Sequence, residues 1–215
     1  CIMSVPTKKR RTKRLATVRW HGNRYAIPFR VIEKFKITGQ KEEHISIDEV
    51  FGELTKYAIT ELPGMIMGVG SVTDGAAASL YMALGANFIV TPVLREDIAV
   101  VCNRRKVLWS SGCGSLTEIA RAEELGCEIV KLFPGDIYGP KFVKGVRGPQ
   151  PWTSIMPTGG VSPTQENLKA WFDAGVTCVG MGSKLISRDI IANRDFDKLE
   201  QDVKKALSII EEVRR

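Results

Sequence analysis

Lys131 stands inside the apolar run Glu128-Ile129-Val130-Lys131-Leu132-Phe133-Pro134, between Val130 and Leu132, with a proline closing the run. Burying a lysine as a cation is costly, because desolvation disfavours the charged form and lowers its pKa. A neutral amine in such a place is a nucleophile that can form a Schiff base with a carbonyl. The same stretch also suits a lysine at a strand end whose ammonium reaches water along its apolar stem. These seven residues alone leave both readings open.

Two glycine-rich stretches suggest a second kind of chemistry. Thr158-Gly159-Gly160-Val161-Ser162 and Gly180-Met181-Gly182-Ser183 each end an apolar run. Glycine lets backbone N–H groups approach an anion closely, and a helix opening after Ser162 would add a favourable dipole. As a pair they suit a phosphate, although each alone also reads as a tight turn without a ligand. Ser71, in Gly68-Val69-Gly70-Ser71-Val72-Thr73, offers a hydroxyl to a small carboxylate. That stretch fails as a dinucleotide fingerprint, because Thr73 stands where the third glycine belongs. Cys113 has no histidine placed to activate it, since His21 and His44 both lie in the first 45 residues, and it reads as a packing cysteine. Lys141 and Lys144 suit a solvated helix face.

The elements that must position these groups recur regularly from Ser46 onward. Strands are predicted at 65–69, 88–91, 107–110, 128–133, 154–157 and 177–181, with starts 19 to 26 residues apart. Helix signals fall between them: Ser46 and Glu49 at capping-box spacing before a helix ended by Pro63-Gly64, Thr73 before 76–84, Ser115 and Glu118 before 119–125, and Ser162-Pro163 before 168–174. Gly85, Gly126 and Gly175 follow three of these helices, and a last helix covers 196–213 with one apolar stripe. Such alternation predicts a parallel sheet with helices outside. Six strands and whatever the first third supplies point to an α/β fold of the (β/α)8 barrel type, whose chemistry sits at the C-terminal strand ends. Lys131 then lies on the fourth readable strand, sharing a face with Ile129 and Phe133.

Composition sets the outer limits. With 215 residues, 44% of them apolar and 26% charged, the chain suits one globular domain. No apolar run approaches the roughly 20 residues of a membrane helix, and no stretch has the order of a secretory signal. Cys1, Cys102, Cys113, Cys127 and Cys178 have neither metal-site nor disulfide-framework spacing, so reduced thiols, a cytoplasmic setting and no metal or cofactor are expected. The net charge of +7 is uneven: residues 1–45 hold 12 Lys/Arg against 3 Asp/Glu, whereas the rest hold 19 against 21. The block Lys8–Arg14 reads as a solvated tail, without the aromatic interleaving of a nucleic-acid site. Around Tyr25–Ile32 one short strand is expected, with Pro28 counting against a central position. The chain begins with Cys1, so its true start is expected upstream.

Several motifs in order resemble the 2-dehydro-3-deoxy-phosphogluconate/4-hydroxy-2-oxoglutarate aldolase family. They are Gly68-Val-Gly-Ser-Val72, Phe88-Ile-Val-Thr-Pro92, Ser111-Gly-Cys-Gly-Ser-Leu-Thr-Glu118, Val130-Lys-Leu-Phe-Pro-Gly135, Met156-Pro-Thr-Gly-Gly-Val161 and Val179-Gly-Met-Gly-Ser183. The resemblance spans about residues 48 to 186. It implies a class I aldolase of the Entner-Doudoroff type in carbohydrate metabolism, homotrimeric and free of metal. In it Lys131 forms the Schiff base, Ser71 and Pro92 surround the pyruvyl group, and Thr158, Gly159, Gly160, Gly182 and Ser183 surround the distal phosphate. The partner implied is a small-molecule 2-keto-3-deoxy sugar acid phosphate, with no membrane and no nucleic acid.

Residues 1–45 depart from the resemblance. The family's first strand–helix–strand carries a proton-shuttling glutamate and, four residues on, an arginine for the pyruvate carboxylate. Arg30-Val31-Ile32-Glu33 is the nearest echo, but Ile37 stands four residues after Glu33. The expectation is therefore an atypical basic segment over 1–45, of the kind a shifted reading frame would produce, joined to an aldolase-type barrel over 46–215. Two other readings compete with the aldolase. One is a phosphate-binding barrel whose lysine only pairs with an anion. The other is an inactive relative lacking the acid/base glutamate, with a basic arm able to contact nucleic acid.

Overall fold

The computed structural model of the chain describes residues 15–20, 23–28, 47–62 and 64–214. Within the regular part, five helices begin where a short polar side chain (Asp74, Ser115, Thr164, Ser187 or Asp195) takes an otherwise orphaned N–H. Helix α1 covers Ile47–Glu61 and α2 covers Gly75–Ala83. The cap of α2 is Asp74, which accepts from Ala77 N–H at 2.8 Å, and not the predicted Thr73. A carboxylate one residue nearer the helix reaches the third amide and completes the cap first. Helix α3 covers Glu96–Arg105 and α4 covers Leu116–Glu124. At α4 the predicted N-cap is present: Ser115 Oγ accepts from Glu118 N–H at 3.2 Å, while the Glu118 carboxylate accepts from Gly114 N–H and Ser115 Oγ in place of the Ser115 N–H of a full capping box. Helix α5 covers Gly135–Arg147 and α6 covers Gln165–Asp173. The cap of α6 is Thr164, not the predicted Ser162, whose own N–H is instead taken by the Asn167 side chain at 2.9 Å. Helices α7, Arg188–Asn193, and α8, Phe196–Val213, complete the described chain. None of these helices is long and apolar enough to cross a membrane.

Strands β1, Leu15–Trp20, and β2, Asn23–Pro28, form an antiparallel hairpin in a sheet of their own. Of the single strand expected over Tyr25–Ile32, residues 25–28 belong to β2, paired with a strand not foreseen, and 29–32 lie outside the described residues. Pro28 stands at the last described register position, opposite Leu15, where a missing N–H costs no interior ladder bond. Glu33, Ser46 and Lys8–Arg14 lie outside the described residues.

The remaining strands are parallel, as the alternation predicts. They are β3, Gly68–Val69; β4, Phe88–Val90; β5, Leu108–Ser110; β6, Gly112–Cys113; β7, Val130–Leu132; and β8, Ile155–Pro157. The ladder runs β3-β4-β5, then β6-β7-β8. Strands β5 and β6 are one extended segment interrupted at Ser111, so the predicted third strand is longer than expected and serves two neighbours. The sixth predicted strand joins β8 by hydrogen bonds from Thr177 N–H to Ile155 O at 3.0 Å and Gly180 N–H to Pro157 O at 2.9 Å, with one bridge between Thr158 and Gly180. Among the described residues the six parallel segments stop short of a closed ring.

Alternation along the strands sends one set of side chains under the helices. Ile89, Trp109, Cys113, Val130, Leu132 and Ile155 are buried there with Ile98, Ile119, Val143, Val146 and Leu168. The opposite face carries Lys131, and at its open side Leu108 remains 56% exposed.

Candidate active site

Strand β7 is buried along its whole length, with Val130 at 1%, Lys131 at 7% and Leu132 at 0% exposure. Val130 and Leu132 belong to the core beneath the helices, so Lys131 necessarily points the other way. Its flanking partners on that face are Gly112 and Met156, directly beside it in register. Among the described residues no carboxylate pairs with the amine, which lies 4.4 Å from the centroid of the Phe133 ring. Burial pushes its pKa below the ordinary lysine value. Its seat is therefore the interior of the strand, not a solvated strand end.

The wall beside it is shaped by a glycine. A Cβ on Gly112 would lie 2.1 Å from the carbonyl oxygen of Pro92 and 2.9 Å from that of Thr91. The chain after β4 thus folds down over Gly112, next to Lys131. Thr91 fixes this fold: its buried hydroxyl donates to Val93 O at 2.7 Å and accepts from Gly112 N–H at 3.3 Å. Pro92 is held against Gly112, the register neighbour of Lys131, by a glycine and a threonine that the sequence reading did not single out for this. Ser71 lies just past the C-terminal end of β3, exposed and at φ 60°. Gly68 lies flat beneath Phe88, whose ring would stand 2.1 Å from an added Cβ. That packing gives the first glycine of the failed fingerprint its reason.

On the other side of β7, Thr158 continues the ladder by donating its N–H to Leu132 O at 3.0 Å and accepting from Gly135 N–H at 2.8 Å. Gly159 and Gly160 follow at φ 94° and 70°, a region that disfavours any residue with a Cβ. Gly160 could carry none in any case, since it would lie 2.3 Å from Asp136 Cβ. Gly182 and Ser183 lie exposed in a turn closed by Leu185 and Ile186 N–H bonds to Gly182 O. Ser71, Pro92, Thr158, Gly159 and Gly160 thus lie just beyond the C-terminal ends of β3, β4 and β8, Lys131 is the middle residue of β7, and Gly182 and Ser183 follow the Thr158–Gly180 bridge. Asp136, close against the glycine pair, carried no motif that would have singled it out.

The thiols have no part in this arrangement. Cys113 is buried under the helices on the face opposite Lys131, and burial pushes its pKa up to about 12, as a packing cysteine requires. Cys127 is likewise pushed up to about 11. Among the described residues no group of three His, Cys, Asp or Glu side chains could hold a metal.

Residues 49–202 match the model of the "KDPG and KHG aldolase" family. A 2-dehydro-3-deoxy-phosphogluconate aldolase of Pseudoalteromonas atlantica is 31% identical over 157 residues, covering 73% of this chain and 72% of the relative. A 2-dehydro-3-deoxy-6-phosphogalactonate aldolase of Escherichia coli is 32% identical over 125 residues, covering 56% and 58%. The fold is similar to that of the KDPG aldolase from Legionella pneumophila, solved with pyruvate captured as a covalent carbinolamine, with a TM-score of 0.65 at 20% identity over 75% of each chain. A buried lysine between two glycine-shaped strand ends and a family match over 49–202 lead to one conclusion: the chain belongs to the KDPG and KHG aldolase family of carbon–carbon lyases.

Proposed function

We propose that the chain is a class I aldolase acting on 2-dehydro-3-deoxy-6-phosphogluconate, with 4-hydroxy-2-oxoglutarate as a second substrate. The observation that carries this reading is Lys131, buried with no carboxylate partner among the described residues, on the sheet face opposite the helical layer. The neutral amine adds to C2 and water leaves, giving an iminium. The C3–C4 bonding electrons then flow into the iminium as the C4 hydroxyl proton departs, releasing glyceraldehyde 3-phosphate. Protonation of the enamine at C3 and hydrolysis return pyruvate and the free lysine. Ser71 and Pro92 surround the pyruvyl group, while Thr158, Gly159, Gly160, Gly182 and Ser183 surround the distal phosphate.

The proton transfers call for a positioned acid/base group. By the family resemblance this is a carboxylate of the first third, for which Glu33 is the nearest candidate in this sequence. In this reading residues 46–215 contribute to a (β/α)8 barrel, residues 1–45 are an atypical basic segment, and the working form is a cytoplasmic homotrimer.

Incubation with pyruvate and borohydride tests the central step. The expected result is one reduced pyruvyl mass on the peptide that holds Lys131. An adduct on another lysine, or none, refutes it. Lys131→Arg provides a second check, since it keeps the charge but forms no imine, and retained turnover would rule out covalent catalysis.

A further inference from the structure

We propose that Tyr138 is a specificity-determining residue whose phenol hydrogen-bonds a hydroxyl on the aldehyde half of the sugar acid; this rests on the Schiff-base reading of Lys131. The turn that follows β7 carries the case. Residues 135–138 make one helical turn, Gly139 breaks it at φ 68° and ψ 174°, and Pro140 follows as the helix resumes. The break leaves the short first turn leaning sideways over both neighbouring strand ends. On one side Asp136 lies against Gly160, and on the other the Tyr138 hydroxyl lies against Gly114. A Cβ on Gly114 would stand 2.1 Å from that oxygen, so glycine there makes room for the phenol.

Register assigns the face on which this happens. Gly112 pairs with Lys131 and Cys113 with Leu132, and Phe133 N–H donates to Cys113 O at 3.2 Å. Alternation carries Gly114 onto the face of Gly112, Lys131 and Phe133. The phenol oxygen therefore occupies the space a residue-114 side chain would fill, one strand from the lysine and on the same side of the sheet. Its ring is held by Phe142, with centroids 4.9 Å apart. Among the described residues nothing hydrogen-bonds the hydroxyl, although a half-buried tyrosine ordinarily satisfies that group. The other polar side chains at this strand end are already engaged: Glu118 Oε2 accepts from Gly114 N–H at 2.8 Å and from Ser115 Oγ at 3.0 Å.

A ligand with its carboxylate toward Ser71 and Pro92 and its phosphate toward Gly159 and Gly160 presents its middle to the wall formed by β6 and β7. That wall is otherwise glycine and phenylalanine, and the middle of the ligand carries hydroxyls. Pyruvate has none of that portion, which separates this role from packing.

The test compares the native chain with Tyr138→Phe, which keeps the ring on Phe142. Both are trapped with pyruvate and borohydride while 6-phosphogluconate, which has the hydroxyls and phosphate but no ketone, protects Lys131. Equal trapping by pyruvate, with about tenfold more 6-phosphogluconate needed to protect Tyr138→Phe, is the expected result. Equal protection in both chains, no protection in either, or a parallel fall in trapping overturns the assignment. No adduct in the native chain overturns the Schiff-base reading, and the role of Tyr138 with it.

Discussion

Lys131 and Phe133, two residues apart on one face of the β7 segment, place a buried amine 4.4 Å from the centre of an aromatic ring. The ring's electron-rich face favours the ammonium, whereas burial favours the free amine. The lowered pKa is thus held between two opposed influences. Replacing Phe133 with leucine removes one of them and leaves the other. The pH at which pyruvate trapping reaches half its maximal rate should then fall below that of the native chain. An unchanged profile would show that the ring does not act on the amine.

Lys131 also costs the fold stability. Its folded pKa lies below the ordinary value of 10.5, so the unfolded chain binds the proton more tightly. Stability therefore rises with pH from the folded pKa up to the ordinary value, above which both states are neutral and the penalty vanishes. Lys131→Met should abolish the pyruvate adduct and raise the melting temperature at neutral pH, with the gain shrinking toward pH 10.5. Denaturation at a series of pH values checks the sign, and a variant less stable than the native chain at neutral pH would refute the account.

Gly112→Ala should disturb structure and site together. The added methyl meets the Pro92 carbonyl at 2.1 Å, a backbone atom that cannot swing aside. Overpacking of this kind costs about 1–3 kcal/mol. Urea denaturation should show a loss in that range, and pyruvate trapping at Lys131 should slow because Pro92 is displaced. Gly145→Ala, inside α5 where an added Cβ meets nothing within 4 Å, should leave trapping unchanged and raise stability by about 0.5–1 kcal/mol, the opposite sign, which provides the control.

A first third without a positioned glutamate and arginine should hold turnover roughly 10²–10⁴-fold below that of a relative with a complete first unit. Grafting such a relative's first strand–helix–strand in place of residues 1–45 should restore it. A strand–helix–strand with Glu-x-x-x-Arg in another frame upstream of codon 46 would explain the segment. Full turnover by the chain as it stands would refute the expectation and direct attention to Glu33.

What the sequence revealed depended on where the signal was local. Strand positions came from apolar runs at regular spacing, and Ser115 with Glu118 identified its helix start because both halves of that cap lie within four residues. Helices α3 and α5 enter through Arg95 and Pro134, which make no capping hydrogen bond, so no cap signal singled out their starts. Caps at α2 and α6 shifted by one or two residues because Asp74 and Thr164 compete with equally plausible neighbours. Lys131 could be found from its cost alone. The hydroxyl of Thr91, the space left by Gly112 and Gly114, and the place of Tyr138 could not, since each becomes visible only once residues some 20 apart are side by side.

The interruption at Ser111 makes one residue a mechanical joint. Before it the strand bonds to β4, and after it to β7, while Ser111 itself accepts from Lys131 N–H at 2.8 Å and donates its own N–H to Cys127 Sγ at 3.4 Å. Ser71 and Pro92 follow strands of one ladder, whereas Lys131 lies in, and Gly159 follows, a strand of the other. A ligand long enough to touch both groups would act as a splint across that joint, so occupancy of the site and stiffness of the sheet become the same property.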